Sequence, residues 1–224
     1  NQTFSALLIT QDNTIFAGGT GVYRSEDGMT WNLKNNGLGN WSVYSLISGK
    51  QGEIFAGTDV GGFFRSTDKG ETWTRSNTGM INTEITSLAI NKDGHIFSGT
   101  WRGGVYRSTN NGLNWSQVLT TQKSVYSIAE SGNNIFAGTG DYYNLTGNGV
   151  YFSSDHGNTW VQTSLNNIII PSIIIYGSNV IAASYGSGIY TSSNNGTTWN
   201  QRNEGLGSLA VYSLTTDGSY LYAG

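Results

Sequence analysis

The stretch FRSTDKGETW at 64–73 ends a short apolar segment in a polar turn and closes that turn with Trp73. Variants of the phrase return four times: YRSEDGMTW at 23–31, YRSTNNGLNW at 106–115, FSSDHGNTW at 152–160 and TSSNNGTTW at 191–199. The closing residues Trp31, Trp73, Trp115, Trp160 and Trp199 lie 42, 42, 45 and 39 positions apart. The chain is therefore an array of similar units, and the unit decides the fold.

The rest of each unit aligns as well. One segment reads VYSLISG at 43–49, ITSLAIN at 85–91, VYSIAES at 125–131 and VYSLTTD at 211–217. A second, IFAG or IFSG, begins at 15, 54, 96 and 135, a third is GVYRS or a variant, and a fourth starts at the Trp. Each is short, rich in Val, Ile, Tyr, Phe and Thr, and bounded by Gly, Asn or Asp, which are strand and hairpin signals. Helical periodicity is absent, and the 32 Gly would weaken any helix. Four short strands per repeat predict an all-β chain, a β-propeller of four-stranded antiparallel blades.

With strands lettered A to D, residues 1–224 read as one propeller with blades at about 1–41, 42–82, 83–122, 123–166 and 167–207. Residues 208–224 supply strands A and B of a sixth. The chain opens on a strand A, so its start cannot complete that last blade, and the whole reads as part of a larger propeller. The closing SYLYAG would then present a strand edge to another chain or to further blades.

Composition narrows the function. Only 11% of residues are Asp, Glu, Lys or Arg, against about 25% in an average soluble protein, so solubility rests on Asn, Ser, Thr and Gly. The net charge of -3 and the lack of any Lys/Arg run argue against nucleic acid as a partner. Without Cys there is no disulfide, thiolate metal site or Cys nucleophile. The apolar segments are too short and interrupted for membrane insertion as a helix. This makeup suits a secreted or cell-surface bacterial protein, and the start at Asn1 rather than Met suits a mature or excised piece.

The phrase Ser-x-Asp-x-Gly-x-Thr-Trp resembles the Asp-box of the sialidase-type (BNR repeat) propellers, and the likeness covers essentially the whole chain. It is similar above all to repetitive propeller regions of secreted Bacteroidetes-type proteins, many of which carry a type IX secretion sorting domain. Sialidases, xyloglucan-cleaving glycosidases, sortilin-type receptors and a photosystem II assembly factor share the resemblance. Physical chemistry gives the box a structural part. As the turn between strands C and D, its Asp or Asn accepts bonds from its own backbone, Gly supplies a positive φ, Ser adds a local bond, and Trp anchors between blades. The residues so assigned are Ser25, Asp27 and Trp31; Ser66, Asp68, Gly70 and Trp73; Ser108, Asn110, Gly112 and Trp115. The last two copies supply Ser153, Asp155, Gly157 and Trp160, then Ser192, Asn194, Gly196 and Trp199. Asn110 and Asn194 can keep the turn bonds but make poor catalytic carboxylates. The first box is one residue shorter and must turn more tightly.

No catalytic residue emerges. The sialidases that the resemblance brings to mind use an Arg triad, yet Arg24, Arg65 and Arg107 repeat at one position of strand C and cannot converge. A glycosidase needs two carboxylates about 5 to 10 Å apart; Asp59, Glu84, Asp141 and Glu204 are available, and nothing singles out a pair. An incomplete glycoside hydrolase domain is therefore the alternative to a binding module. His95 and His156 stand alone, so no metal and no cofactor are expected. Glycines at 138 and 140 precede no helix, which argues against a phosphate cradle.

Function in repeat folds tends to lie in loops that break the repeat. The B–C loop at 139–149, TGDYYNLTGNG, is longer than its counterparts and holds Asp141, Tyr142 and Tyr143. With Trp101, Arg102, Asp59 and Tyr185 from other B–C loops and Trp41 from a D–A loop, these are the expected ligand-binding residues. Aromatic faces edged with polar groups suit a protein or glycan partner. The run NNIIIPSIIIYG at 166–177 also departs from the repeat and is read as a buried axial strand, with a hydrophobic contact surface as the alternative.

Overall fold

The computed structural model describes residues 3–224, and these contain strands and turns but no helix. Five sheets hold four antiparallel strands each, in chain order, as propeller blades do. The first joins β1 (Ala6–Ile9), β2 (Ile15–Gly19), β3 (Gly21–Ser25) and β4 (Asn32–Leu33). The second joins β5 (Val43–Ser48), β6 (Ile54–Thr58), β7 (Phe63–Ser66) and β8 (Thr74–Arg75). The third joins β9 (Ile85–Ile90), β10 (Ile96–Thr100), β11 (Gly104–Ser108) and β12 (Ser116–Leu119). In the fourth are β13 (Ser124–Ser131), β14 (Asn134–Asp141), β15 (Thr146–Ser153) and β16 (Val161–Gln162). The fifth holds β17 (Ser172–Tyr176), β18 (Asn179–Ser184), β19 (Gly188–Ser192) and β20 (Asn200–Gln201). A two-stranded sheet of β21 (Leu214–Thr216) and β22 (Leu221–Ala223) follows.

The chain falls into two compact units. One runs to Thr100 and adds Tyr106–Gln117; the other comprises Trp101–Val105 and Val118–Gly224. In the first unit, Phe16, Val22, Val43, Ile54, Phe64 and Trp73 form one buried cluster, and Phe55, Phe63, Ile85, Ile96, Tyr106 and Trp115 form another. In the second, Phe136, Val150, Ile170, Ile173 and Val180 pack together, and Ile181, Ala183, Val211 and Leu214 make a smaller cluster. Each cluster lies between neighbouring sheets, so a blade buries both faces. That is why β6 and β10, reading IFAGT and IFSGT, are buried at every position.

The small residues of that phrase have a steric cause. A Cβ placed on Gly57 would stand 2.4 Å from Ile85 Cγ2 of the next inner strand. Only glycine admits so close an approach. The VYS phrase has two causes. Its serine ties inner strands together: Ser45 Oγ accepts the Leu88 amide at 3.0 Å in the first unit, and Ser127 Oγ accepts the Ile173 amide at 2.9 Å in the second. Its second residue sits in a β-bulge. Val43 pairs with Thr58 and Ser45 with Gly57, so the register passes over Tyr44, as it passes over Thr86 and Tyr126. A bulge re-aims its side chain. Pro171 holds that place in the fifth blade, where β17 begins one residue later. Around it Ile169, Ile170 and Ile173 are buried, so the isoleucine run belongs to the interior.

The boxes are the turns joining each third strand to the fourth. Ser66 Oγ accepts the Gly70 amide at 2.8 Å and donates to Asp68 Oδ1 at 2.8 Å. Asp68 in turn accepts the Thr72 amide at 2.9 Å and its hydroxyl at 2.5 Å. In the Asn copies the backbone bond is kept: Asn110 Oδ1 accepts the Asn114 amide and Asn194 Oδ1 the Thr198 amide, both at 2.9 Å. The residue before each box Gly is left-handed at Lys69, Asn111, His156 and Asn195, with φ of 54 to 60°. The first box lacks that residue, and Met29 N and Thr30 N reach Asp27 Oδ1 at 2.8 and 2.7 Å instead.

The Trp anchors are unequal, which corrects the expectation that all five fill the space between blades. Trp73 and Trp115 are each 4% exposed, whereas Trp31 is 38% exposed and Trp160 and Trp199 are half-buried. The cause is the loop after the preceding blade. Trp73 donates from Nε1 to Lys34 O at 2.8 Å and from its amide to Asn36 O at 2.8 Å. Trp115 does the same with Ser76 O at 3.0 Å and Thr78 O at 2.9 Å. Those loops read NNGL and NTGM, and their asparagines cap the strand before: Asn35 Oδ1 accepts the Val22 amide and Asn77 Oδ1 the Phe63 amide. The loops that precede the blades of Trp160 and Trp199 have lost this motif, and no blade precedes that of Trp31 in this sequence.

Candidate binding surface: a ladder of aromatic rings

Six rings of the second unit stand in a series of edge-to-face and tilted contacts. From Tyr143 the contacts run to Trp101 (centroids 5.7 Å apart), Tyr126 (6.1 Å), Tyr142 (4.9 Å), Tyr185 (5.4 Å) and Tyr212 (5.7 Å). Trp101 comes from the β10–β11 turn, Tyr142 and Tyr143 from the β14–β15 turn, and Tyr185 follows β18. Tyr126 is the bulged residue of β13, and Tyr212 holds the same phrase position just before β21. Backbone bonds fix the frame: the Tyr185 amide donates to Ile169 O at 3.0 Å, and Tyr185 bridges to Ala210.

The long loop at 139–149 is in fact a hairpin extension. Strands β14 and β15 run on until Asp141 faces Thr146, leaving only residues 142–145 as the turn. Asp141 closes it. Its Oδ1 accepts the amides of Tyr143 at 3.1 Å and Asn144 at 3.3 Å, and its Oδ2 accepts Asn144 Nδ2 at 2.8 Å and Arg102 Nη2 at 3.1 Å. Lys123 Nζ stands 3.9 Å away. The carboxylate is 4% exposed, which corrects its expected place as a ligand-facing group. The Asn144 side-chain bond, with Arg102 beside it, holds its pKa below the usual carboxylate range.

Arg102 is left-handed at φ 53°. That conformation lets its guanidinium reach Asp141 while lying 6.0 Å from the centroids of both Trp101 and Tyr143. Burial pushes the Tyr142 hydroxyl up to about 12 and raises that of Tyr126. Tyr143 is 80% exposed, Tyr212 54% and Tyr185 36%. Monomeric proteins seldom leave contiguous aromatic rings this open without a partner to cover them.

Of the expected ligand-binding residues, Trp101, Arg102, Tyr142, Tyr143 and Tyr185 meet in the ladder. Trp41 and Asp59 belong to the first unit. There Trp41 packs over the Gly61 backbone, and the Asp59 carboxylate accepts the Val60 amide at 2.8 Å. Glu84 of the same unit is raised by burial and then by Asp59, which also acts on Tyr44. Sequence reasoning missed Tyr126 and Tyr212. They obey the repeat rather than break it, and the signal lay in the recurring Tyr of VYS. Arg24 pairs with Glu71 at 2.8 Å and Arg65 with Glu53 at 3.5 Å. A concavity of about 240 Å³ in the first unit, between Thr10, Asp12, Ser48, Lys50 and Lys69, contains none of the expected residues.

No family model matches this sequence, and no curated protein matches it. Solved structures do. PorZ, an essential bacterial surface component of the type-IX secretion system of Porphyromonas gingivalis, superposes with a TM-score of 0.75 at 15% identity, over 97% of this chain and 37% of that one. An ancestral GH74 enzyme gives 0.69 at 23% identity, over 87% of this chain and 28% of that one. YCF48 bound to D1 peptide gives 0.73 at 13% identity, over 99% of this chain and 75% of that one. The chain thus spans 28% and 37% of the lengths of the first two neighbours. These likenesses carry the propeller fold and nothing finer.

Proposed function

We propose that this chain is a non-catalytic binding module of a secreted or cell-surface bacterial protein, with the aromatic ladder as its recognition surface. The observation that carries the reading is the convergence of six rings, three of them at least 36% exposed, from separate turns of one unit. Aromatic side chains at interfaces give large contact area at small entropic cost. In the same reading the five turns are Asp-boxes of a single propeller, on the strength of their shared Ser, Asp or Asn, and Gly bonding. A surface location fits the secretion component among the fold neighbours.

The alternative, an incomplete glycoside hydrolase domain, has one observation behind it: Glu84 is raised with Asp59 acting on it. The ladder offers that chemistry little, since Asp141 is consumed by its own turn.

The test compares the wild type with a Tyr143→Ala/Tyr185→Ala variant on peptide and glycan arrays, alongside a polysaccharide turnover assay. The reading expects binding that falls at least about tenfold, or 1.4 kcal/mol, in the variant. Unchanged binding would move the site elsewhere, and turnover abolished by Glu84→Gln would establish the hydrolase.

A further inference from the structure

The ladder's own geometry distinguishes among partners, on the premise above that it is a recognition surface. A sugar stacks on a flat, open ring face and takes hydrogen bonds from planar polar groups at its edge. Here the faces are met by neighbouring edges: Trp101 and Tyr143 are inclined at 88°, Tyr142 and Tyr185 at 87°, Tyr185 and Tyr212 at 62°. Arg102 covers Trp101 and Tyr143 further. Asp141, the carboxylate that would grip hydroxyls, is buried and already bonded by Tyr143, Asn144 and Arg102.

What such a surface offers is a set of mutually inclined rings, of which the phenols Tyr143, Tyr185 and Tyr212 are exposed. A polyproline II segment is the complement. It has no internal hydrogen bonds, so its carbonyls seek donors, and it is stiff, so docking costs it little entropy. It has three residues per turn, and such segments dock in aromatic-lined grooves. Charge sets the direction. At the Trp101–Tyr143 end, two cations, Arg102 and Lys123, face the single anion Asp141, leaving one positive charge in excess. The other rings carry none.

We propose that the ladder docks an extended proline-rich peptide in the polyproline II conformation, with an acidic residue of that peptide at the Arg102 end. The experiment uses the full chain and three probes: a fluorescein-labelled octaproline peptide ending in Glu, the same peptide ending in Lys, and cellohexaose. The Glu peptide should bind, and the Lys peptide about threefold more weakly, as suits one exposed charge pair. Tyr143→Ala/Tyr185→Ala should weaken both by at least about tenfold. Arg102→Gln should equalise the two peptides, a ratio that does not depend on how much of the variant is folded. Cellohexaose binding that falls in the double variant would keep the surface but overturn the peptide. Failure of both peptides to bind the folded chain would also overturn it. Peptide binding that ignores the double variant would overturn the peptide and the surface together.

Discussion

Trp73 of the first unit and Tyr185 of the second are both aromatic residues in hairpin loops of one repeating pattern, and their surroundings differ sharply. Trp73 is 4% exposed, its indole N–H bonded to Lys34 O across to the neighbouring blade. Tyr185 is 36% exposed, and its ring meets those of Tyr142 and Tyr212. The first occupies a position that every repeat fills alike. The second stands where the other copies hold Thr20, Asp59, Trp101 and Gly140. Trp73 is spent on holding blades together; Tyr185, at a position the repeat leaves free, faces outward.

The largest consequence falls on the box. Trp73→Ala should cost about 3 to 5 kcal/mol in denaturant unfolding, the range for deleting a buried aromatic. Trp31→Ala, at the exposed copy, should cost far less, and equal losses would erase the distinction drawn from the preceding loop. Next comes Ser66→Ala, which strips the buried Gly70 amide of its acceptor. A loss of about 1 to 3 kcal/mol is expected, again by denaturant unfolding.

A pH effect sharpens the comparison between Asp and Asn boxes. The Thr30 amide holds Asp27 at about 2, and the Thr159 amide does the same for Asp155. A carboxyl lowered by folding stabilises fully above its unfolded value, near 4, and that stability drains away as pH falls towards 2. The unfolding midpoint should therefore drop between about pH 4 and pH 2. Asp155→Asn should flatten that drop while leaving the neutral-pH midpoint nearly unchanged, because Asn110 and Asn194 already close their turns as amides. An unaltered slope would deny the turn its part in acid sensitivity.

How far the sequence revealed all this depends on what each residue answers to. The forty-odd-residue spacing of Trp31, Trp73, Trp115, Trp160 and Trp199 exposes the blades, because each strand and turn is a local choice repeated. The unequal burial of those tryptophans was also written there, in the loss of NxGL from the third and fourth loops. The ladder was half legible. Trp101, Arg102, Tyr142, Tyr143 and Tyr185 stood out by breaking the pattern. Tyr126 and Tyr212 were hidden within it, since a one-residue bulge has no residue type of its own and emerges only from strand register. Asp141 read as a free carboxylate for the same reason: its burial follows from the further pair Asp141–Thr146, which composition does not reveal.

The central claim is that box aromatics build the fold and ladder aromatics do not. Equilibrium denaturation of Tyr143→Ala/Tyr185→Ala beside Trp73→Ala tests it without any ligand. Exposed ring contacts are individually small, so the ladder variant should lose less than about 1.5 kcal/mol while Trp73→Ala loses about 3 to 5. A ladder variant that unfolds as readily as Trp73→Ala would make the ladder one more structural cluster and contradict the account.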